Sequence, residues 1–155
     1  MNIATIMQQT SDAKVAHMRW VKKADHLISG LPVEKEFIPL EPTDCAFGKW
    51  LYSQGSQLRT KDSLMNLIEK IEKYHDELHD VYGKIYQIYF MIPQHRTLLQ
   101  KIITFNSKDV TQNEIKEAKQ YYAILEQISE KLLLAIKEFE VNVKELNYDD
   151  LKSQF

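Results

Sequence analysis

The stretch Tyr74-His75-Asp76-Glu77-Leu78-His79-Asp80-Val81 lies inside a strongly helical segment and sets two histidines four residues apart. On an α-helix that spacing places both imidazoles on one face, one turn apart. The apolar stripe of the segment reads Leu64, Ile68, Ile71, His75, Leu78, Tyr82, Ile85 and Tyr89. His75 falls on the stripe and His79 one step to its edge, so both are expected to point inward. Two rings so placed can share one metal ion, and imidazole suits zinc. The fold dictated by this stretch is helical, and any further ligands must come from other elements.

Downstream, Pro93 must end or kink the helix. Residues 94–104 are expected to resume it, since Leu98, Leu99, Ile102 and Ile103 keep the spacing, and Asn106-Ser107-Lys108-Asp109 reads as a turn. Thr111-Gln112-Asn113-Glu114 matches a capping box, which opens a long last helix to about Leu146. Its seam is Ile115, Ala118, Tyr122, Leu125, Ser129, Leu132, Ile136, Phe139, Val143 and Leu146. The alternation by three and four is the strongest periodic signal in the chain, and Ser129 is the weakly polar member. The tail from Asn147 to Phe155 reads as frayed.

Upstream, residues 2–29 read as a first helix. Ile3, Ile6, Thr10, Ala13, His17, Trp20, Ala24 and Leu27 form its inward seam, and Gly30 with Pro32 supplies the stop. His17 occupies a seam position, whereas His26, one turn after Lys22 and Lys23, is expected on the wet face. Residues 31–44 hold three prolines and no helical period, so they form a connection. Phe37, Ile38 and Leu40 are available to pack it down. Residues 45–55 make a compact unit in which Thr43 or Asp44 is expected to cap a short helix beginning near Cys45. Phe47, Trp50 and Leu51 give that helix an apolar side, and Gly55 ends it. Gly48 inside so short a helix costs about 1 kcal/mol relative to Ala; the expected reason is close approach of a neighbouring helix. Thr60 or Asp62 is the expected cap of the histidine helix.

The chain has 155 residues, 27% charged and 44% hydrophobic, with a net charge of −2. That composition fits one soluble domain and offers no basic surface to nucleic acid. No stretch approaches the ~20 apolar residues of a membrane span. The N-terminus has no basic region followed by an apolar run, so no secretory leader is expected. The one cysteine, Cys45, excludes an internal disulfide and points to a reducing, cytoplasmic location.

The inward-facing ligand candidates are His17, Cys45, His75 and His79, from three separate elements. Three imidazoles and one thiolate make four donors, the coordination number zinc prefers in structural sites. No inward carboxylate partner is evident, which favours zinc over iron. Calcium and magnesium want oxygen ligands.

The sequence resembles the chemoreceptor zinc-binding (CZB) domain of bacterial cytoplasmic sensors. The resemblance rests on His17 with Trp20 three residues later, and on Cys45-Ala46-Phe47-Gly48-Lys49-Trp50-Leu51-Tyr52 with Gly55 just after it. The pair His75 and His79 completes it. It covers about residues 10–90. It implies a helical bundle, usually a homodimer, with zinc held by three histidines and one cysteine, by position His17, Cys45, His75 and His79. Members regulate attached outputs such as chemoreceptor signalling helices or diguanylate cyclases, and they respond to zinc or to oxidants acting on the cysteine. Here no methyl-accepting hairpin and no cyclase domain is present, so residues 1–155 read as a free-standing, single-domain member.

The expectation is an all-α, antiparallel four-helix bundle, dimeric, whose short Cys45 helix covers one end of the first, third and last helices. Its expected role is zinc-dependent sensing through a partner protein. Three rivals stand beside it. A zinc hydrolase uses H-E-x-x-H, but Asp76 follows His75, and four protein ligands leave no open position on the metal. A di-iron oxygen binder of the hemerythrin kind needs bridging core carboxylates, and the Asp and Glu residues fall mostly off the seams. A metal-free structural helical adaptor needs only the seams.

Overall fold

A computed structural model describes residues 2–92 and 110–146. Among these residues there is no strand. The helices are α1 (Ile3–Ile28), the short α2 (Ala46–Trp50), α3 (Asp62–Tyr86) and α4 (Gln112–Glu145). The helix expected at 94–104, the turn at 106–109 and the tail from residue 147 lie outside the described residues.

The ends of the long helices follow local chemistry. Asn2 caps α1 by accepting the N–H of Thr5 at 2.8 Å. At the other end Gly30 adopts φ 81°, and the N–H groups of Gly30 and Leu31 return to the carbonyls of Leu27 and His26 at 3.1 and 3.0 Å. That is a Schellman stop, and it needs a residue free to take positive φ. The capping box of α4 is formed on both sides. Thr111 Oγ1 accepts the Glu114 N–H at 3.2 Å, and the Glu114 carboxylate accepts the Thr111 N–H at 3.0 Å. The start of α3 differs from expectation: Lys61 takes the cap position with no side-chain bond, and Asp62 is the first helical residue. There its charge suits the positive end of the helix dipole.

The seams bury as their periods dictate. Ile6, Thr10, Ala13, His17, Trp20, Ala24 and Leu27 are buried on α1, and Leu64, Ile68, Ile71, His75, Leu78, His79, Tyr82 and Ile85 on α3. On α4 the buried line runs from Ala118 to Val143 and includes Ser129. At the seam ends Ile3, Ile115 and Leu146 are half-buried, and two further positions deviate. His26 is half-buried at the seam edge. Tyr89 is half-buried, with Ile88 buried instead, inside a widened π turn over Gln87–Met91.

Helix directions follow from cross-helix pairs. Lys14 meets Glu140 at 2.8 Å and His17 meets Ser129 at 2.9 Å, so numbers fall along α4 as they rise along α1. Lys70 meets Glu138 at 3.1 Å, and the turn after α3 also packs on α4. Because α4 ends at Glu145, only an antiparallel run keeps both contacts. Thus α4 is antiparallel to α1 and to α3, while α1 and α3 run the same way. Joining two parallel helices requires a connection that crosses the length of the bundle, and residues 29–61 are that crossover. It carries α2 and delivers Cys45 into the gap between α1 and α3.

The crossover is held down by its carbonyls. Trp20 Nε1 donates to Pro39 O at 3.2 Å, His79 Nδ1 to Leu40 O at 2.7 Å, and Lys23 Nζ to Phe37 O at 3.2 Å. Ile38 is fully buried and Leu40 half-buried, as expected of packing residues. Phe37 is 57% exposed: its carbonyl accepts from Lys23 of α1, and its ring lies 6.0 Å from the same ammonium.

Candidate metal centre

Cys45 enters the bundle at the N-terminus of α2 and is itself the cap. Its Sγ accepts the N–H of Gly48 at 3.1 Å. Thr43 and Asp44 were the expected caps by residue preference, but the inward-turned thiol takes the place. The Cys45 thiol also lies 3.4 Å from the carbonyl of Pro42. Phe47, Trp50 and Leu51 bury the apolar side of the unit, and Trp50 packs edge-on against Phe139 of α4 at 6.3 Å. Gly48 allows close approach, foremost of the crossover backbone and then of α3. The carbonyl of Pro42 lies against its Cα, and the His75 ring follows, with Cε1 3.1 Å from where a Cβ would stand.

From α3, His75 presents Nε2 to the Cys45 sulfur at 3.1 Å. His79 lies one turn on, its ring 4.8 Å from that of His75. One donor atom each from Cys45, His75 and His79 falls within 4.8 Å of the others, and all three residues are buried. Donors around a tetrahedral zinc stand about 3.3–3.6 Å apart, given bonds of ~2.0–2.3 Å. The cluster is therefore within a small closure of that geometry. Its atoms are also prepared for a ligand role. The bond from His79 Nδ1–H to Leu40 O leaves Nε2 with the lone pair, the outer-shell arrangement typical of ligating histidines. His75 Nδ1 is buried with no hydrogen-bond partner, a costly state for a polar atom.

His17 lines the same cavity, a space of about 340 Å³ also walled by Trp20, Phe47, Leu78 and the three clustered residues. It is not part of the close cluster; its Nε2 is paired with Ser129 Oγ at 2.9 Å. Trp20 closes the gap between α1 and α3, with ring contacts to His79 at 4.8 Å and Tyr82 at 5.2 Å.

Burial sets the charge state. It pushes His17 down to about 4 and His75 down to about 3, with repulsion from His79 adding to both. His79 is lowered as well, again by burial. Neutral imidazoles carry the lone pair a metal needs. Burial raises the Cys45 thiol, against the opposing pull of the Gly48 N–H. Burial outweighs the backbone hydrogen bonds and the nearby Lys49 charge, so the thiol is the favoured form at neutral pH. Asp76, next to His75 on α3, accepts the Tyr52 hydroxyl at 2.9 Å.

A cluster of two imidazoles and a thiol, buried among rings between the helices of an all-helical domain, is a group that could hold a metal ion. The family of chemoreceptor zinc-binding domains matches residues 17–86, from His17 to the last residue of α3. Over that segment, a little under half of its length, the chain is similar to that family. No curated protein and no solved structure matches the chain. The matched segment contains every expected ligand and stops short of α4. Among the described residues, no helix is long and apolar enough to cross a membrane.

Proposed function

We propose that this protein is a zinc-dependent sensor, with zinc held by His17, Cys45, His75 and His79 and the signal passed to a partner protein. The observation that carries the reading is the buried Cys45–His75–His79 cluster, its donors within 4.8 Å, inside the family segment. Soft thiolate and imidazole donors select zinc over the oxygen-seeking cations, and the cluster contains none of the carboxylates a di-iron centre uses. Zinc bound there supplies a cross-link between α1, α2 and α3 and stabilises Cys45 as the thiolate. The chain's own residues do the rest. Leu40 orients His79, Gly48 lets α2 approach α3, and Trp20 walls the site.

The proposed input is zinc availability or an oxidant of the hypochlorite class. The second acts on Cys45: the thiolate takes oxygen to become sulfenic acid, and chloride leaves. Output through a chemoreceptor or diguanylate cyclase partner, a two-fold homodimer, a cytoplasmic location and the absence of catalysis belong to the same proposal. The α4 seam is about 50 Å long at 1.5 Å per residue, against about 40 Å for α1, and a second copy would take the excess.

Metal analysis of untagged protein tests the core of the reading. One zinc per chain is expected, lost in His75→Ala and His79→Ala and retained in His26→Ala. A His75→Ala/His79→Ala double variant with undiminished zinc would overturn it, and a metal-free wild type would leave the structural adaptor. Light scattering at tens of micromolar tests the dimer.

A further inference from the structure

Ser129 lies on α4, outside the segment that the family match covers. It is buried at a seam position otherwise filled by apolar residues. A hydroxyl within a helix commonly turns back onto the carbonyl four residues earlier, as Thr10 does with Ile6 at 2.8 Å. Ser129 instead reaches across to α1, where its Oγ stands 2.9 Å from His17 Nε2.

A neutral imidazole has one N–H and one lone pair, on different nitrogens. When the lone pair goes to a metal, the N–H on the other nitrogen needs an acceptor. His79 meets this condition with Nδ1–H on Leu40 O. In His17 it is Nε2 that has the partner, the serine hydroxyl, which can either accept or donate. The His17 ring lines the cavity that holds Cys45, His75 and His79.

We propose that Ser129 is a positioning residue for the metal centre. It accepts the Nε2–H of His17, fixes the tautomer whose lone pair is on Nδ1, and so makes α4 part of the support of a centre whose donors all lie elsewhere. The proposal rests on the reading of His17 as a ligand. The competing arrangement has the Ser129 hydroxyl donating to Nε2. His17 would then be parked on α4, and the metal would have to displace the serine.

Zinc affinity by chelator competition, measured on the full chain, separates the two. Ser129→Ala is expected to weaken zinc about 10–100-fold and Ser129→Thr to restore most of it. Long-range proton–nitrogen correlation on zinc-loaded wild type is expected to place the His17 ring proton on Nε2. The proposal is overturned if Ser129→Ala binds zinc as tightly as wild type or more tightly, or if the His17 proton lies on Nδ1. His17→Ala keeps the two layers apart. If it retains wild-type affinity, the four-ligand reading falls and this proposal with it. If it loses affinity while Ser129→Ala does not, this proposal alone falls.

Discussion

The carbonyl oxygen of Pro42 occupies the place where a Cβ on Gly48 would have to stand. The obstacle is backbone, and its carbonyl carbon is only 2.9 Å from that place, so no rotamer change relieves it. Gly48 also donates its N–H to the Cys45 sulfur at 3.1 Å. The glycine therefore sets the distance between the crossover, the cysteine and the His75 ring together.

Gly48→Ala is accordingly expected to push α2 away from the crossover. Overpacking of this kind costs roughly 1–3 kcal/mol. For a chain of this size each kcal/mol is worth roughly 2–4 °C of melting temperature. Differential scanning calorimetry should show a drop of several degrees, and zinc content should fall because Cys45 moves with α2. Wild-type melting and wild-type zinc would mean the crossover yields without resistance.

Tyr52 ties the cysteine-bearing segment to α3 through its hydroxyl on Asp76, beside His75. The pair is on the outer surface, and a hydrogen bond there contributes roughly 0.5–1.5 kcal/mol. Tyr52→Phe should therefore leave the melting temperature within a few degrees of wild type. It should instead speed local opening of the segment. The expected readout is faster alkylation of Cys45 in metal-free protein. Equal alkylation rates would show that Trp50 and Phe47 alone hold the segment.

Metal-free protein is expected to lose stability in mild acid. His17 and His75 have folded values of about 4 and about 3, below the ordinary 6.5 of an unfolded chain. Between those limits the unfolded chain binds more protons than the folded one, so stability rises with pH across that window. It is fully present above 6.5, falls as pH drops towards about 3, and changes no further from these two groups below that. Urea titrations of metal-free protein at pH 7.5 and pH 5 should show the lower midpoint at pH 5. Equal midpoints would mean that the rings are hydrated in the folded state.

Much of the site was legible because helical periodicity reports on the facing of side chains. His75 and His79 face inward because they lie on one apolar stripe, and His17 because it replaces an apolar residue on another. Ser129 stood out as a polar residue on a seam, though its partner 112 residues away could not be read from spacing. What stayed hidden involves backbone. The carbonyls of Pro39, Leu40 and Pro42 orient Trp20, His79 and Gly48, and a carbonyl oxygen is the same atom in every residue. Cap preferences favoured Thr43 and Asp44. The position went to Cys45, because burial of the thiol among Phe47 and His75 fixes where α2 begins. The direction of the helices likewise depends on the crossover, whose proline-rich sequence specifies no path.

The order in which the chain is made gives α4 one more consequence. Translation runs from α1 to α4, so Cys45, His75 and His79 have all left the ribosome before the helix that α1 and α3 both pack upon has emerged. The nascent chain passes through a stage at which the donor-bearing helices lack the surface that covers them. Were zinc to meet the chain at that stage, as the proposed function allows, Cys45, His75 and His79 would be open to solvent. After α4 docks, with Lys14 against Glu140 and His17 against Ser129, the cluster is reached from the side, through the cavity between α1 and the crossover and, at His79, through the groove along Leu40 and Gly83. Loading during synthesis and loading afterwards are thus physically different events, one before the last helix closes the bundle and one through its side.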